Sequence, residues 1–397
     1  MNRRTFLAAP PLLNQAGRRL VSGYPVWDWE RWKEITGATR PEMVSEQSGK
    51  GLLSDLLSQN GRPVRSFPEW EPRRAAIRRV LDAFLGKPPQ SKPPLEPRVL
   101  ERTQVAGYTR TRLVFQTEPG EFVPAYLLVP DKLTGRVPAV LCPHQTVQEG
   151  KLEPAGMAGN PRLHMAHELA TRGYVAFTYD ALCFGERHDP ATGHYGEAMA
   201  FYKSHPGWSV MGKMAWDLSR AIDYLETLNF VDPARIGSIG HSHGGYTSFV
   251  AAALDKRLAC AVSSCGFDTF RYDGNPWRWS VATALLPRLG FYISSPHLSN
   301  KSYGGMPDSE TVQIPFDMHE VLALIAPRPL FLASSDDDNI FPNSGWSARQ
   351  ALARLEPLYG LAGAREKIGG YFFRGGHGFP PESAALCYGW LDRWLRA

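Results

Sequence analysis

A chain of 397 residues, 43% hydrophobic and 21% charged, can bury most of its apolar surface without staples, which sets aside disordered and disulfide-framework classes. Its 44 basic and 39 acidic residues leave a formal charge of +5 scattered along the chain, a weak basis for nucleic-acid binding. It holds no run of about 18 apolar residues, the length a transmembrane helix needs.

The N-terminus, Asn2-Arg3-Arg4-Thr5-Phe6-Leu7, pairs two arginines before a short apolar stretch interrupted by Pro10 and Pro11. Residues 1–22 therefore read as a twin-arginine export signal, with no clean small-x-small cleavage site behind it. The expectation is an exported protein, with cytoplasmic residence the alternative. Residues 23–97 form a helical extension. Within it, Arg73–Leu85 carries apolar residues at helical spacing and arginines on the other face, stopped by Gly86 and the Pro-rich connector from Pro88 to Pro97.

From residue 98 to the C-terminus the pattern becomes β/α. Leu100–Gln116 and Phe122–Val129 read as an antiparallel pair turning at Glu118-Pro119-Gly120. Strands follow at Val137–Cys142, Tyr174–Tyr179, Arg235–Gly240, Leu258–Ser263, Leu330–Ala333 and Gly370–Phe373. Helices follow at His164–Arg172, Met211–Leu228, Gly244–Leu254, Met318–Ile325, Ser347–Leu355 and Glu382–Arg396. Such alternation implies a mostly parallel central sheet with helices on both faces. An aromatic-rich segment, residues 266–316, interrupts it and reads as a cap, with Trp277 and Trp279 as candidate pocket residues.

Five cysteines, Cys142, Cys183, Cys260, Cys265 and Cys387, are odd in number and lack a C-x-x-C pair, so buried free thiols are expected. A bridge between Cys142 and Cys183, at the ends of adjacent predicted strands, stays open.

The most informative stretch is Gly240-His241-Ser242-His243-Gly244 between a strand and a helix. A serine on so tight a turn adopts a strained backbone. Side chains two residues either side would clash, which calls for glycine at 240 and 244. The turn lifts the Ser242 hydroxyl clear of the sheet and aims the following helix N-terminus at a developing oxyanion.

This stretch resembles the nucleophile elbow of the α/β-hydrolase fold. The resemblance runs from about residue 98 onward and is strongest to the dienelactone-hydrolase and acetyl-xylan-esterase branch. It implies the chain order Ser, acid, His. Asp338, four residues before Pro342, matches the family's acid, with Asp336 and Asp337 as fallbacks. His377, in Gly375-Gly376-His377-Gly378, matches the base. The resemblance also implies an oxyanion hole from the N–H of His243 and one from the loop Pro143-His144-Gln145-Thr146. Thr146 matches the donor position there, and Gln145, standing where the family has Gly, is the other candidate. Of the remaining pocket candidates, His144 lies in that loop, and Glu186 and Arg187 lie in Asp180–Arg187, which resembles the family's D-x-x-G-x-G-x-R loop.

The implied activity is a serine esterase working through an acyl-enzyme on a small-molecule or carbohydrate ester, without metal or organic cofactor. Three alternatives stay open: a peptidase of the prolyl-oligopeptidase kind, a binding protein on a silent hydrolase scaffold, and a metallohydrolase using His241 and His243. The chain carries no sign of its oligomeric state.

Overall fold

The computed structural model describes residues 20–21, 24–25, 27–43, 53–193, 195–273, 276–280, 283–293 and 314–396. The export-signal reading falls almost wholly outside them, as do parts of the 266–316 segment and the Trp277 side chain.

Nine strands form the central sheet: β1 (Arg98–Val105), β2 (Tyr108–Glu118), β3 (Glu121–Pro130), β4 (Val137–Leu141), β5 (Val175–Tyr179), β6 (Val231–His241), β7 (Leu258–Ser264), β8 (Leu330–Ser335) and β9 (Ile368–Phe373). Their spatial order is β1-β2-β3-β5-β4-β6-β7-β8-β9. The first three and the β3–β5 pairing are antiparallel; from β5 to β9 all pairs are parallel. This is the α/β-hydrolase arrangement. One strand expected over Leu100–Gln116 is in fact two, because Gly107 at φ 91° turns the chain between β1 and β2. The turn expected at Glu118–Gly120 is present, with Gly120 at φ 79°.

Strands β4 to β7 are almost wholly buried, as fits a parallel sheet covered on both faces. Helices α1 (Trp29–Thr36), α2 (Glu71–Leu85), α3 (Met165–Thr171), α4 (Val210–Glu226), α5 (His243–Leu254), α6 (Met318–Ala323), α7 (Ser344–Leu361) and α8 (Pro381–Leu395) surround it. The N-terminal segment joins the main core through Trp27, Trp29, Trp32 and Trp70. It is also pinned by polar contacts: Arg73 meets Glu320 at 2.6 Å, and Ser54 meets the His319 ring at 2.9 Å. All five cysteines are free and buried, so the Cys142–Cys183 bridge left open by their positions is not formed.

Candidate active site

At the C-terminal end of β6 the chain turns sharply into α5 through Ser242, at φ 53° and ψ −117°. For a residue with a Cβ this is strained backbone. The two flanking glycines are what the turn requires. A Cβ on Gly240 would stand 2.2 Å from the backbone of Gly244, and one on Gly244 would stand 2.0 Å from the Pro143 carbonyl oxygen. The Ser242 N–H donates to the Ser264 carbonyl at 2.8 Å, extending the strand pairing to the turn itself. The N–H of His243 is at the first position of α5, where helical N–H groups have no intrahelical acceptor.

Asp338 and His377 meet across two loops, one following β8 and the other β9. His377 Nδ1 lies 3.0 and 2.8 Å from the two Asp338 carboxylate oxygens. Asp338 is buried, and its Oδ1 also accepts the N–H groups of Ile340 and Phe341, each at 2.8 Å. The neighbouring acids do other things. Asp337 accepts the N–H groups of Gly375 and Gly376 at 2.8 and 3.1 Å, which pulls its carboxyl down to about 2. Asp336 pairs with Arg349 on the surface, which lowers its pKa. Asn339 takes the His377 N–H at 3.2 Å. The histidine loop is thus gripped by three consecutive residues, and only Asp338 reaches the imidazole.

His377 Nε2 is buried and has no hydrogen-bond partner among the described residues, so the bond to Ser242 is open in this structure. Such bonds often tighten only with substrate in place. Ser242 and His377 line one cavity of about 240 Å³, together with Gln145, Thr146 and Trp279 from the expected set. The Gln145 side-chain amide donates to Glu153 at 3.0 Å.

Three expected pocket residues stand elsewhere. His144 is buried beside the rings of Phe184 and His243, with Nδ1 2.6 Å from the Gln145 carbonyl and Nε2 accepting the Ala181 N–H. Glu186 does not pair with Arg187. It turns to Lys151 at 2.5 Å and to Arg112 at 2.8 Å. Arg187 is drawn inward to Asp217 at 2.8 Å and to Glu121, where the buried Lys213 adds a second cation. The loop is therefore fastened by a buried charge network, away from the cavity wall.

The histidines flanking Ser242 also point away from a common centre. His241 Nδ1 contacts Ser264 Oγ at 3.0 Å, and His243 Nε2 contacts Met214 Sδ at 2.9 Å. Burial holds both well below the ordinary histidine range, so both are neutral. Among the described residues neither belongs to a group of three metal-ligating side chains, so the structure adds no third ligand to the His241–His243 metal alternative.

Several cavity residues have no local sequence signal. Tyr195 and Tyr246 form apolar walls, and Phe341 stacks on the His377 ring at 5.7 Å. Arg278 reaches the cavity from the aromatic-rich 266–316 segment.

Among known proteins, the family described as "Glucuronyl esterase, fungi" matches residues 154–355, about half of the chain. YtaP of Bacillus subtilis is 30% identical over 280 residues, 68% of this chain and 84% of that protein. A 4-O-methyl-glucuronoyl methylesterase of Phanerochaete carnosa is 23% identical over 377 residues, 90% of this chain and 84% of the enzyme. Among solved structures, a glucuronoyl esterase from Solibacter usitatus superposes with a TM-score of 0.63 at 19% identity, covering 90% of this chain and 99% of the other. At that identity the last likeness speaks for the fold alone.

Proposed function

The chain belongs to the glucuronyl esterase family, and from that premise we propose that it hydrolyses esters of glucuronoyl-type sugar acids through Ser242, His377 and Asp338. It is a carboxylic-ester hydrolase on an α/β-hydrolase fold. The observation that carries the residue assignment is the Asp338–His377 pair beside a strained serine on one cavity wall.

In this reading His377 Nε2 takes the hydroxyl proton as Ser242 Oγ attacks the ester carbonyl. Asp338 fixes the tautomer that leaves Nε2 basic and stabilises the imidazolium that forms. The N–H of His243 and that of Gln145 or Thr146 receive the oxyanion. His377 then passes its proton to the departing alcohol as the carbonyl C–O bond breaks. Water, deprotonated by the same nitrogen, releases the acid and restores Ser242. The sugar-acid assignment follows the activity of the Phanerochaete relative, and the aromatic cavity walls are compatible with it.

The test is direct. The purified protein is expected to release methanol from methyl glucuronate, to cleave p-nitrophenyl acetate, and to be labelled at Ser242 by a fluorophosphonate, with EDTA without effect. Absence of labelling defeats the serine mechanism; loss of activity on chelation defeats the metal-free one. Export, supported by Arg3-Arg4 and the stretch behind it, is tested separately. A mature protein in the native host that begins after about residue 17 supports it, and intact Met1 in a cytosolic fraction refutes it.

A further inference from the structure

Among the described residues of the cavity wall, Arg278 is the one that carries a guanidinium or ammonium group. Its Nε and Nη2 donate to the two carboxylate oxygens of Asp273 at 2.8 and 3.0 Å, a bidentate grip that fixes the plane of the fork. Trp279 Nε1 donates to the same carboxylate at 3.1 Å, so the two wall residues share one anchor. On its other side the guanidinium lies 4.1 Å from the Phe341 ring centroid, and Phe341 stacks in turn on His377. Arg278 is thereby held at a set distance from the reacting groups, which is what selective recognition requires.

The surroundings determine what it recognises. Asp273 balances its charge. Another acid, Asp268, is buried near Asp273, and desolvation and that neighbouring carboxylate raise its pKa. The Arg278–Asp273 pair itself carries no net charge. A balanced guanidinium serves as a directional donor to neutral oxygens more than as a trap for anions. Around it the rings of Tyr246, Trp279 and Phe341 offer apolar faces. The cavity of about 240 Å³ is smaller than the roughly 300–1,000 Å³ of typical small-molecule sites, room for one compact group.

We propose that Arg278 is the specificity-determining residue of this cavity, donating hydrogen bonds to hydroxyl or ether oxygens of the ester and so favouring oxygen-rich esters over plain acyl ones. This rests on the reading of Ser242 as the nucleophile. The oxygens can sit on the acyl side, as in a sugar-acid ester, or on the alcohol side, as in an acetylated sugar.

The experiment measures kcat/KM for wild type, Arg278→Gln and Arg278→Lys on methyl glucuronate, an acetylated methyl xyloside and p-nitrophenyl acetate, with rates normalised to sites labelled by fluorophosphonate. Hydrogen bonds from a charged donor lead one to expect the ratio of methyl glucuronate to p-nitrophenyl acetate activity to fall about 10- to 100-fold in Arg278→Gln. Lysine, lacking the planar fork, is expected to restore only a small part of it. A matching fall on the xyloside alone places the oxygens on the alcohol side and upholds the recognition chemistry. An unchanged ratio on both sugar substrates overturns the proposal, because Arg278 then supports the fold or the common chemistry alone. A wild type that is neither labelled nor active defeats the serine reading instead, and the two failures are therefore distinct.

Discussion

Asp338 meets His377 Nδ1 with both carboxylate oxygens, at 3.0 and 2.8 Å, while Asp337, the next residue back, accepts from the backbone of the same loop and from the Ser335 hydroxyl. One side chain orients the imidazole and the other shapes the loop that carries it. Asp338→Asn presents an amide where the proposed triad needs an acceptor for Nδ1–H, and the wrong tautomer in a Ser-His-Asp triad typically costs about 10⁴-fold in kcat. Asp337→Asn keeps an oxygen for Gly375 and Gly376, and its expected loss is below about tenfold, because a hydrogen bond to a charged group contributes about 1.5–3 kcal/mol and only part of it is given up. Steady-state kinetics on both variants decide it: greater sensitivity at position 337 reverses the assignment.

Ser242 sits at φ 53°, so its backbone stores strain that a glycine does not feel. Ser242→Gly is expected to abolish hydrolysis and to raise stability by about 1 kcal/mol, within the 1–3 kcal/mol such conformations cost. Urea unfolding at neutral pH measures it. A variant less stable than wild type means that the turn is relaxed by contacts other than its own torsions. Gly244→Ala has the opposite expectation, since its Cβ would stand 2.0 Å from the Pro143 oxygen: a poorly folded protein with lowered Tm.

These contrasts indicate what is readable in one dimension. The elbow is legible because its requirement is local: two glycines, one serine, a strand before and a helix after. Asp338 is legible only through the resemblance, because it stands four residues before Pro342 as the family's acid does. Arg278 and Tyr195 are not, because distant segments bring them to the cavity and no period links them to the elbow. Adjacency in sequence does not give Glu186 and Arg187 common partners. The two neighbours part because Asp217 and Glu121, from other elements, hold the arginine while Lys151 and Arg112 hold the glutamate. The division of labour among Asp336, Asp337 and Asp338 likewise depends on where the His377 loop lands.

Burial of neutral histidines sets a pH dependence. His319 is held down to about 3 by desolvation, and His144, His241 and His243 are lowered in the same sense. An unfolded histidine takes its proton near 6.5, so below that pH the unfolded state binds protons the native state does not. The stability these groups lend is whole above about pH 6.5 and is lost as pH falls, by up to about 1.4 kcal/mol per pH unit for each histidine. Asp268, raised by burial, acts with the opposite sign from its unfolded pKa of about 3.9 upward, in an overlapping window, so a variant must be compared with wild type. His319→Gln is expected to flatten the slope of unfolding free energy between pH 6 and 4.5 by close to one proton. Equal slopes in urea titrations mean that His319 takes up its proton in the native state.

In the proposed oxyanion loop Gln145 stands where the resembled family has Gly, and the structure gives its side chain an anchor. The Gln145 amide donates to Glu153 Oε1 at 3.0 Å, and the same oxygen accepts the Asn160 N–H at 3.0 Å. Glu153 is buried, and a Cβ on Gly159 would stand 2.6 Å from that oxygen, so the carboxyl is closely confined. Anchoring the side chain of residue 145 fixes the backbone on which the second oxyanion donor of the proposed mechanism depends. Glu153→Gln keeps an oxygen in place and is expected to retain kcat within about threefold. Glu153→Ala frees the loop, and with a single oxyanion donor typically contributing 10²–10³ in kcat, a partial misplacement is expected to cost about 10- to 100-fold in kcat with KM little changed. A rise in KM at constant kcat contradicts this, because it assigns Glu153 to ground-state binding and leaves the loop anchored by other contacts.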